Sequence, residues 1–595
     1  MITDNLTANG TDTITINVNN RDYQVVKGKT IMQALDDIGY YIPRLCYHPK
    51  LSIEGACRIC IVEVEGAQNY TTSCTARVSE GMKIRTNTAE LRKARRDILE
   101  LLLDNHPVDC NVCERDSNCE LQKIARSVGI KTKHFEGEKR QYEIDLSSPA
   151  ISRDPNKCIL CGRCVRLCAE IQGVNAIDIT NRGFDSTVMT AYNAPINSSV
   201  CINCGQCINV CPTAALSEKY YTVELFKELS NPDKLKVVQI APAVRAAIGE
   251  AFGLEAGHNL EKQTVGALRK LGFDLVFDTQ FSADLTIMEE GYEFLERLTG
   301  NGTLPMVTSC SPAWIKFAEQ FYPELIANIS TCKSPMSMQS SVIKTYYAKK
   351  RGMDPKDILS VAIMPCTAKK YEAQREELQL GGNRLTDIVV TTREIAWMIK
   401  SSGIDLLTTE KEEFDSLFGF SSGAATIFGV TGGVMEAALR TAYELYVGET
   451  IVDIEFDDLR GFKGVKEAKV KMGDKEINVA VAHGIGNAHK VLKLVKEDPS
   501  RFHFIEIMSC PGGCINGGGQ PYAGSEFTAL DENLLKKRSS VLYEIDRGKT
   551  VRRSHENPEI QRIYKEFFER PLSHKSHEIL HTSYAKKYPQ GVYKK

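Results

Sequence analysis

The sequence predicts a multidomain chain of α/β and α+β class, with several small N-terminal domains ahead of one large α/β domain. Three observations carry this. The chain has 595 residues, which at roughly 100–200 residues per domain calls for about three to five domains. Fifteen of its 20 cysteines fall at or before Cys211 and five after it. From about residue 226, buried-strand runs (VVQIAPAV, SVAIMPC, FHFIEIMSC) alternate with helical stretches such as KQTVGALRKLG, the signature of α/β layers.

The elements follow in order. Residues 11–27 alternate apolar and polar, with Ile14, Ile16 and Val18 before an Asn-Asn-Arg-Asp turn and Tyr23 and Val25 after it. That pattern predicts a β-hairpin. Ile31–Ile38 has helical spacing, and Cys46, Cys57, Cys60 and Cys74 bracket a strand-like run at Ile59–Val64. Hairpin, helix, cysteine loop and strand predict a small β-grasp domain over 1–88. The segment 89–104 sets Leu91, Ile98 and Leu102 on one helix side, and with the cysteines that follow it forms a second domain over 89–132. Residues 133–150 are polar and free of cysteine, a linker. Two near-identical cysteine runs within 145–225 are an internal repeat, the mark of a duplicated supersecondary unit. Residues 226–595 form the large domain.

Composition excludes several classes. Lys+Arg 74 against Asp+Glu 76 gives a net charge of −2, unlike a basic nucleic-acid binder or a polyanionic disordered chain. No apolar run is long enough for a membrane span, and the polar start MITDNLTANGTDT lacks the features of a secretory signal. A cytoplasmic chain is expected. A disulfide scaffold would be short and secreted, so the clustered thiols point to metal.

The strongest local signal is the repeat. Cys158, Cys161, Cys164 and Cys168 form CxxCxxCxxxC, and Cys201, Cys204, Cys207 and Cys211 repeat it, ending in Cys211-Pro212. This is the spacing of two-cluster bacterial ferredoxins, in which the fourth cysteine serves the other cluster. Cys158, Cys161, Cys164 and Cys211 are therefore assigned to one [4Fe–4S] cluster, and Cys201, Cys204, Cys207 and Cys168 to the other. Cys46, Cys57, Cys60 and Cys74 give Cx10CxxCx13C, longer in its first gap than the plant-type spacing but read as a [2Fe–2S] site. Structural zinc on the same thiolates competes with each assignment.

His106, Cys110, Cys113 and Cys119 form Hx3CxxCx5C. This resembles the His-ligated [4Fe–4S] site in the large electron-transfer subunit of respiratory complex I and in iron hydrogenases. The later cysteines extend the resemblance. Cys310 lies in TSCSPAW, Cys366 in MPCTAKKYEA, and Cys510 and Cys514 in EIMSCPGGCINGGGQP. These segments resemble the three signature stretches of [FeFe]-hydrogenases, and the likeness extends through IAPAVRAAIGE, FDTQFSADLTIMEE, GVTGGVMEAALR and RRSHENPEIQRIY to HEILH. It implies that 226–595 is an iron-hydrogenase catalytic domain. The implied reaction is the reversible reduction of protons to dihydrogen at an H-cluster, a cubane joined through a cysteine to a diiron unit with carbon monoxide, cyanide and a bridging dithiolate amine.

Carried over, Cys366, Cys510 and Cys514 are cubane ligands, with Cys514 as the bridge. Lys369 would hydrogen-bond a cyanide, Met364 and Met508 would pack on the diiron unit, and Pro242 would contact the cofactor. Glycines at 512–519 would let backbone approach a bulky group. Protons would pass through Cys310, Glu290, Ser330 and Glu293; the two glutamates, three apart, share a helix face. The family usually has TSCCP, and here the ligand position holds Ser311. Either Ser311 takes the ligand place and Cys310 keeps the relay, or the loop shifts and Cys310, the better ligand for iron, completes the cubane. Cys332 is expected to be a plain buried thiol.

The resemblance favours a catalytic subunit of multimeric NAD-linked, electron-bifurcating hydrogenases, with ferredoxin, a flavin- and NAD-binding subunit and a small [2Fe–2S] subunit as partners. The alternatives are a single-chain hydrogenase served by ferredoxin or flavodoxin, an electron-transfer subunit of a complex I-like dehydrogenase, and a relative that holds clusters but no diiron unit. HGIGNAH (483–489) lacks the third glycine of a dinucleotide fingerprint and reads as an ordinary strand–loop–helix turn.

Overall fold

Two asparagines make the first turn. Strands Thr13–Val18 and Arg21–Val26 pair antiparallel around Asn19 and Asn20, both at positive φ (51° and 67°), as a tight type I′ hairpin requires. The computed structural model describes residues 12–132, 135, 137–450, 455–524 and 527–588; most of the polar N-terminal stretch lies outside them. Thr30 closes a capping box with Gln33 and starts the helix Ile31–Asp37. The hairpin joins Lys83–Arg85, Ile61–Val64 and Thr71–Thr72 in one five-stranded mixed sheet. Ile16, Val18, Ile31, Leu35 and Val62 fill the space beneath it.

The second helix spans Ala89–Asp104, as its periodicity predicts, and buries Leu91 and Leu99. Thr88 caps it by accepting a hydrogen bond from the Leu91 amide. Further on, the two cysteine runs repeat in three dimensions. Each turns through a left-handed pair, Leu160 and Gly162 in the first, Asn203 and Gly205 in the second. Each then enters a short helix, Arg163–Arg166 and Gln206–Val210. The first continues into a π-helical turn, Leu167–Ile171, which holds Cys168.

The large region contains two four-stranded sheets. In one, the order is Leu275–Asp278, Leu235–Ile240, Ile358–Met364, Ile388–Thr391, all parallel. Every residue of Ile358–Met364 is buried, which explains a run that is apolar but for Ser360, whose hydroxyl donates to Ser340 Oγ. In the other, Met306–Val307, Phe504–Met508 and Lys475–His483 are parallel, and Val465–Met472 adds an antiparallel edge. The 20-residue helix Thr279–Leu298 is buried along most of its length. Its Phe281 and Leu285 pack in one apolar cluster and Ala283, Ile287 and Phe294 in another. In open parallel sheets, ligands gather beyond the carboxyl ends of the strands. Here Ile240, Val307, Met364 and Met508 end four strands, and Pro242, Cys310, Cys366 and Cys510 follow within three residues of them.

The segment HGIGNAH is a strand–loop–helix turn as expected. Gly484 precedes the helix Ile485–Glu497, and a Cβ on Gly486 would lie 2.7 Å from the Ile171 carbonyl oxygen. Its glycine serves packing against the cysteine repeat. No helix among the described residues is long and apolar enough to cross a membrane.

Candidate active site

The loops leaving the two sheets meet around one cavity. Pro242, Cys310, Ser311, Met364, Cys366, Lys369, Met508, Ser509, Cys510 and Cys514 all line it, and so does Cys204 from the cysteine repeat. Met364 and Met508 each close a strand, one from each sheet, and both line the cavity with polarizable thioethers. Burial pushes all the thiols up. Cys514 reaches about 12, through burial and then the neighbouring Cys366; Cys510 rises well above its ordinary value through burial and the thiols Cys366, Cys204 and Cys514.

Thiols raised in this way stay protonated near neutrality, and a metal that binds the thiolate displaces the proton to solvent. The cavity offers sulfur donors and a lysine, so the residues present fit an iron–sulfur group with an anionic ligand set. The glycines have a packing role beside the expected one. A Cβ on Gly517 would fall 2.1 Å from the Pro365 oxygen, on Gly513 2.7 Å from the Thr431 nitrogen, and on Gly518 2.5 Å from the Cys204 oxygen. They let protein backbone close on protein backbone, with Gly513 and Gly517 also on the cavity wall.

Lys369 Nζ donates to Glu372 Oε2 (2.6 Å), Ser334 Oγ (2.7 Å) and the Cys310 carbonyl (3.2 Å), as many bonds as an ammonium has protons. Glu372 also accepts from Ser334 and Ser337. Sequence reasoning missed Glu372, although its i,i+3 spacing from Lys369 was a usable signal; Ser334 left none.

Behind Cys310 lies an acidic line. Both carboxylate oxygens of Glu290 are buried without a hydrogen-bond partner. Burial, and then the charge of Glu293, push its pKa up to about 8. One helical turn on, Glu293 accepts from Ser330 Oγ (2.8 Å), from the Thr331 amide (3.1 Å) and from Arg297 (2.6 Å). Arg297, four residues beyond Glu293, was missed in the sequence. The Cys332 thiol is fully buried, its sulfur 3.7 Å from Glu293 Oε2.

The N-terminal thiols fall into groups. Cys60 and Cys74 sulfurs are 3.4 Å apart, and the Cys46 amide lies 3.5 Å from the Cys57 sulfur. Two thiolates on one tetrahedral metal, at bonds of about 2.3 Å, would stand roughly 3.8 Å apart, close to the spacing of Cys60 and Cys74. Cys158, Cys161, Cys164 and Cys211 line one small cavity. Cys204 is raised by burial and then by Cys201, Cys168 and Cys366. The fourth cysteine of each run thus sits with the other run. Cys119 caps the helix Glu120–Ser127, its sulfur 3.4 Å from the Gln122 amide; His106 is buried just past the preceding helix.

Arginines tie the groups together. Arg166 donates to the carbonyls of Cys46 (2.7 Å) and Cys161 (3.1 Å), and Arg115 to that of Cys211 (2.7 Å). Sequence reasoning missed both. The Thr367 hydroxyl donates to the Asn203 carbonyl and the Gln206 side-chain Nε2 to that of Asn516, both at 2.8 Å, which locks the second cysteine run to the cavity.

Family models agree with this layout. Residues 234–518 match the C-terminal domain of the iron-only hydrogenase large subunit, and 532–587 match the iron hydrogenase small subunit. Residues 11–89 match a 2Fe-2S iron-sulfur cluster binding domain, 95–134 the iron-sulfur binding region of NADH-ubiquinone oxidoreductase G, and 148–217 the ferredoxin-like domain of NADH-quinone oxidoreductase subunit 3. The chain is 48% identical over 586 residues to the NADP-reducing hydrogenase subunit HndD of Solidesulfovibrio fructosivorans, covering 96% of this chain and 99% of that one. The chain belongs to the [FeFe]-hydrogenases. Iron hydrogenase 1 of Clostridium pasteurianum is 40% identical, over 96% of this chain and all of that one. A solved structure of the [FeFe]-hydrogenase HydA1 from Chlamydomonas reinhardtii, 41% identical, superposes with a TM-score of 0.56, covering 62% of this chain and 99% of that one. A cytosolic Fe-S cluster assembly factor from Xenopus tropicalis is more distant, 30% identical over 62% of this chain and 78% of its own. This [FeFe]-hydrogenase thus joins a catalytic large-subunit domain to 2Fe-2S and 4Fe-4S ferredoxin-like domains in a mixed α/β chain, and its activity is that of an iron hydrogenase.

Proposed function

We propose that this hydrogenase is the catalytic subunit of a multimeric, nicotinamide-nucleotide-linked, electron-bifurcating complex in the cytoplasm. In this reading a flavin- and nucleotide-binding subunit and a small [2Fe–2S] subunit dock on it, and ferredoxin exchanges electrons with it. The observation that carries it is the linked series of thiol groups, whose last member, Cys204, shares the catalytic cavity. Support comes from the full-length likeness to a subunit named as NADP-reducing and from matches to two NADH-dehydrogenase iron–sulfur regions.

The domains are a β-grasp [2Fe–2S] unit over 1–88, a His-ligated [4Fe–4S] unit over 89–132, a two-cluster ferredoxin-like unit over 145–225 and the catalytic domain from 226. One [2Fe–2S] cluster is held by Cys46, Cys57, Cys60 and Cys74, and three [4Fe–4S] clusters by the remaining N-terminal thiols with His106. In the cavity Cys366, Cys510 and Cys514 hold the cubane. When bound, the diiron unit supplies the centre at which protons and electrons combine.

The chain's own residues bring the protons and keep water out. The Cys310 thiol gives its proton into the cavity and regains one from Glu290, which is recharged through the Ser330 hydroxyl from Glu293; Arg297 holds Glu293 in place. Lys369, which faces the cavity, would donate to a cyanide of the bound group. Met364, Met508 and Pro242 wall the cavity. A cluster-only relative of the assembly-factor kind would need neither this relay nor the lysine.

Purification from the native host tests the assignment. The isolated chain is expected to evolve hydrogen with a reduced dye but not with NADH or NADPH, and the co-purified complex to use the nucleotide. Rapid nucleotide-linked turnover by the isolated chain would contradict it.

A further inference from the structure

The family motif has a cysteine where this chain has Ser311, and the surroundings of that serine show a site built for oxygen. Ser311 occupies the N-cap position of the helix Pro312–Phe321, yet its side chain makes no capping hydrogen bond. A serine there ordinarily accepts from the amide two or three residues on. Instead the Ser311 hydroxyl turns into the cavity and meets the Ser509 hydroxyl at 2.7 Å, and the Ser509 amide approaches the same oxygen at 3.4 Å. Ser509 directly precedes Cys510, and both serines line the cavity with Cys366, Cys510 and Cys514.

The loop before Ser311 is held from several sides. Ser309 Oγ donates to the Cys332 carbonyl (2.6 Å), the Trp314 indole donates to the Thr308 carbonyl (3.0 Å), and Pro312 fixes the first helical residue. Moving Cys310 into the neighbouring place would break these contacts. Cys310 instead packs in the apolar cluster that holds Met508 and Cys514, on the side of the Glu290 helix.

We propose that the fourth iron of the cubane is held through oxygen by Ser311, with Ser509 as its hydrogen-bond donor, and that Cys310 remains an unligated thiol. This rests on the hydrogenase reading of the cavity. On binding, the Ser311 O–H proton leaves to solvent, an Fe–O bond forms, and Ser509 O–H donates to the resulting alkoxide, a charge-assisted bond stronger than the one between two hydroxyls. Oxygen is a harder donor than sulfur, so this corner releases its iron first. Under ferricyanide as electron acceptor, [4Fe–4S]2+ gives [3Fe–4S]+, Fe2+ and one electron, and Ser311 regains a proton from water.

The test is electron paramagnetic resonance and iron content of the full chain, reconstituted with iron and sulfide and treated with ferricyanide. The native chain is expected to show a [3Fe–4S] signal that Ser311→Cys removes. Ser509→Ala should speed its appearance roughly tenfold, the weight of one hydrogen bond to a charged group, and Ser509→Thr should restore the native rate. Cys310→Ala should leave iron content and signal unchanged. Loss of four irons in Cys310→Ala, or a native-like signal in Ser311→Cys, would overturn the assignment. Absence of a cubane beyond the accessory clusters in both the native chain and Ser311→Cys would overturn the hydrogenase reading and this inference with it, whereas a cubane only in Ser311→Cys would overturn oxygen ligation alone.

Discussion

The N-terminal and catalytic regions bind iron by opposite strategies. In the cysteine repeat, three donors arrive from one tight loop, as with Cys158, Cys161 and Cys164, and only the fourth comes from afar. In the catalytic cavity the donors come from three separate loops at the ends of strands in two different sheets. A local loop can present its thiols with little help from the rest of the fold. The catalytic set exists only when both sheets are formed and their carboxyl ends face each other. The first design suits a relay whose task is to conduct, the second a site that must also exclude water and place a proton path.

Substitutions can break this contrast, beginning with the largest effect. Cys514→Ala should reduce hydrogen turnover to background while the accessory cluster spectra stay intact; loss of both together would mean the two regions do not load independently. Glu290→Gln should lower turnover by roughly 10²–10⁴-fold, the usual worth of a positioned proton carrier, with cluster content unchanged. The same variant carries a stability signature. The folded carboxyl, at about 8, keeps a proton that the unfolded one, near ~4.3, releases. Its contribution is full at low pH and is lost as pH rises through about 8. Glu290→Gln should therefore flatten the fall in denaturation midpoint between those values.

His106→Ala addresses the other region. Dye-linked turnover should fall roughly 10–100-fold, the scale of a disturbed metal environment. Exchange of deuterium into dihydrogen, which needs no external electrons, should persist. Equal loss of both would place His106 in the catalytic machinery. The smallest effect is at the seam. A Cβ on Gly205 would lie 2.4 Å from Thr367 Oγ1 and 3.1 Å from the Gly518 Cα, and the residue sits at φ 68°. Gly205→Ala should cost about 1–3 kcal/mol, read as a lower thermal midpoint, and slow electron delivery without changing deuterium exchange.

How far each region was legible in the sequence follows from the same contrast. The accessory thiols announce themselves, because a loop that wraps a cluster fixes spacing: the repeat, the crossed fourth cysteines and the Ala89–Asp104 helix could all be read directly. Beyond Cys510 and Cys514, four apart in one loop, the catalytic thiols have no mutual spacing, and only the likeness to a family brought Cys310 and Cys366 together with them. What spacing did encode there was overlooked, namely the one-turn ion pairs Lys369–Glu372 and Glu293–Arg297. The arginines that join the cysteine loops, Arg166 and Arg115, act on carbonyls more than 90 residues away from them in sequence for Cys46 and Cys211, and nothing local marks them. Gly513 and Gly517 line the cavity, but that a Cβ at Gly513, Gly517 or Gly518 would also meet backbone from other segments is a fact of tertiary packing that spacing does not encode.

The most direct test of the account is infrared spectroscopy of the full chain after maturation with its diiron unit. Bands from metal-bound carbon monoxide and cyanide are expected, and Lys369→Ala should shift the cyanide bands. A chain with all accessory clusters in place and no such bands would contradict the claim that the cavity between the two sheets is a hydrogenase active site.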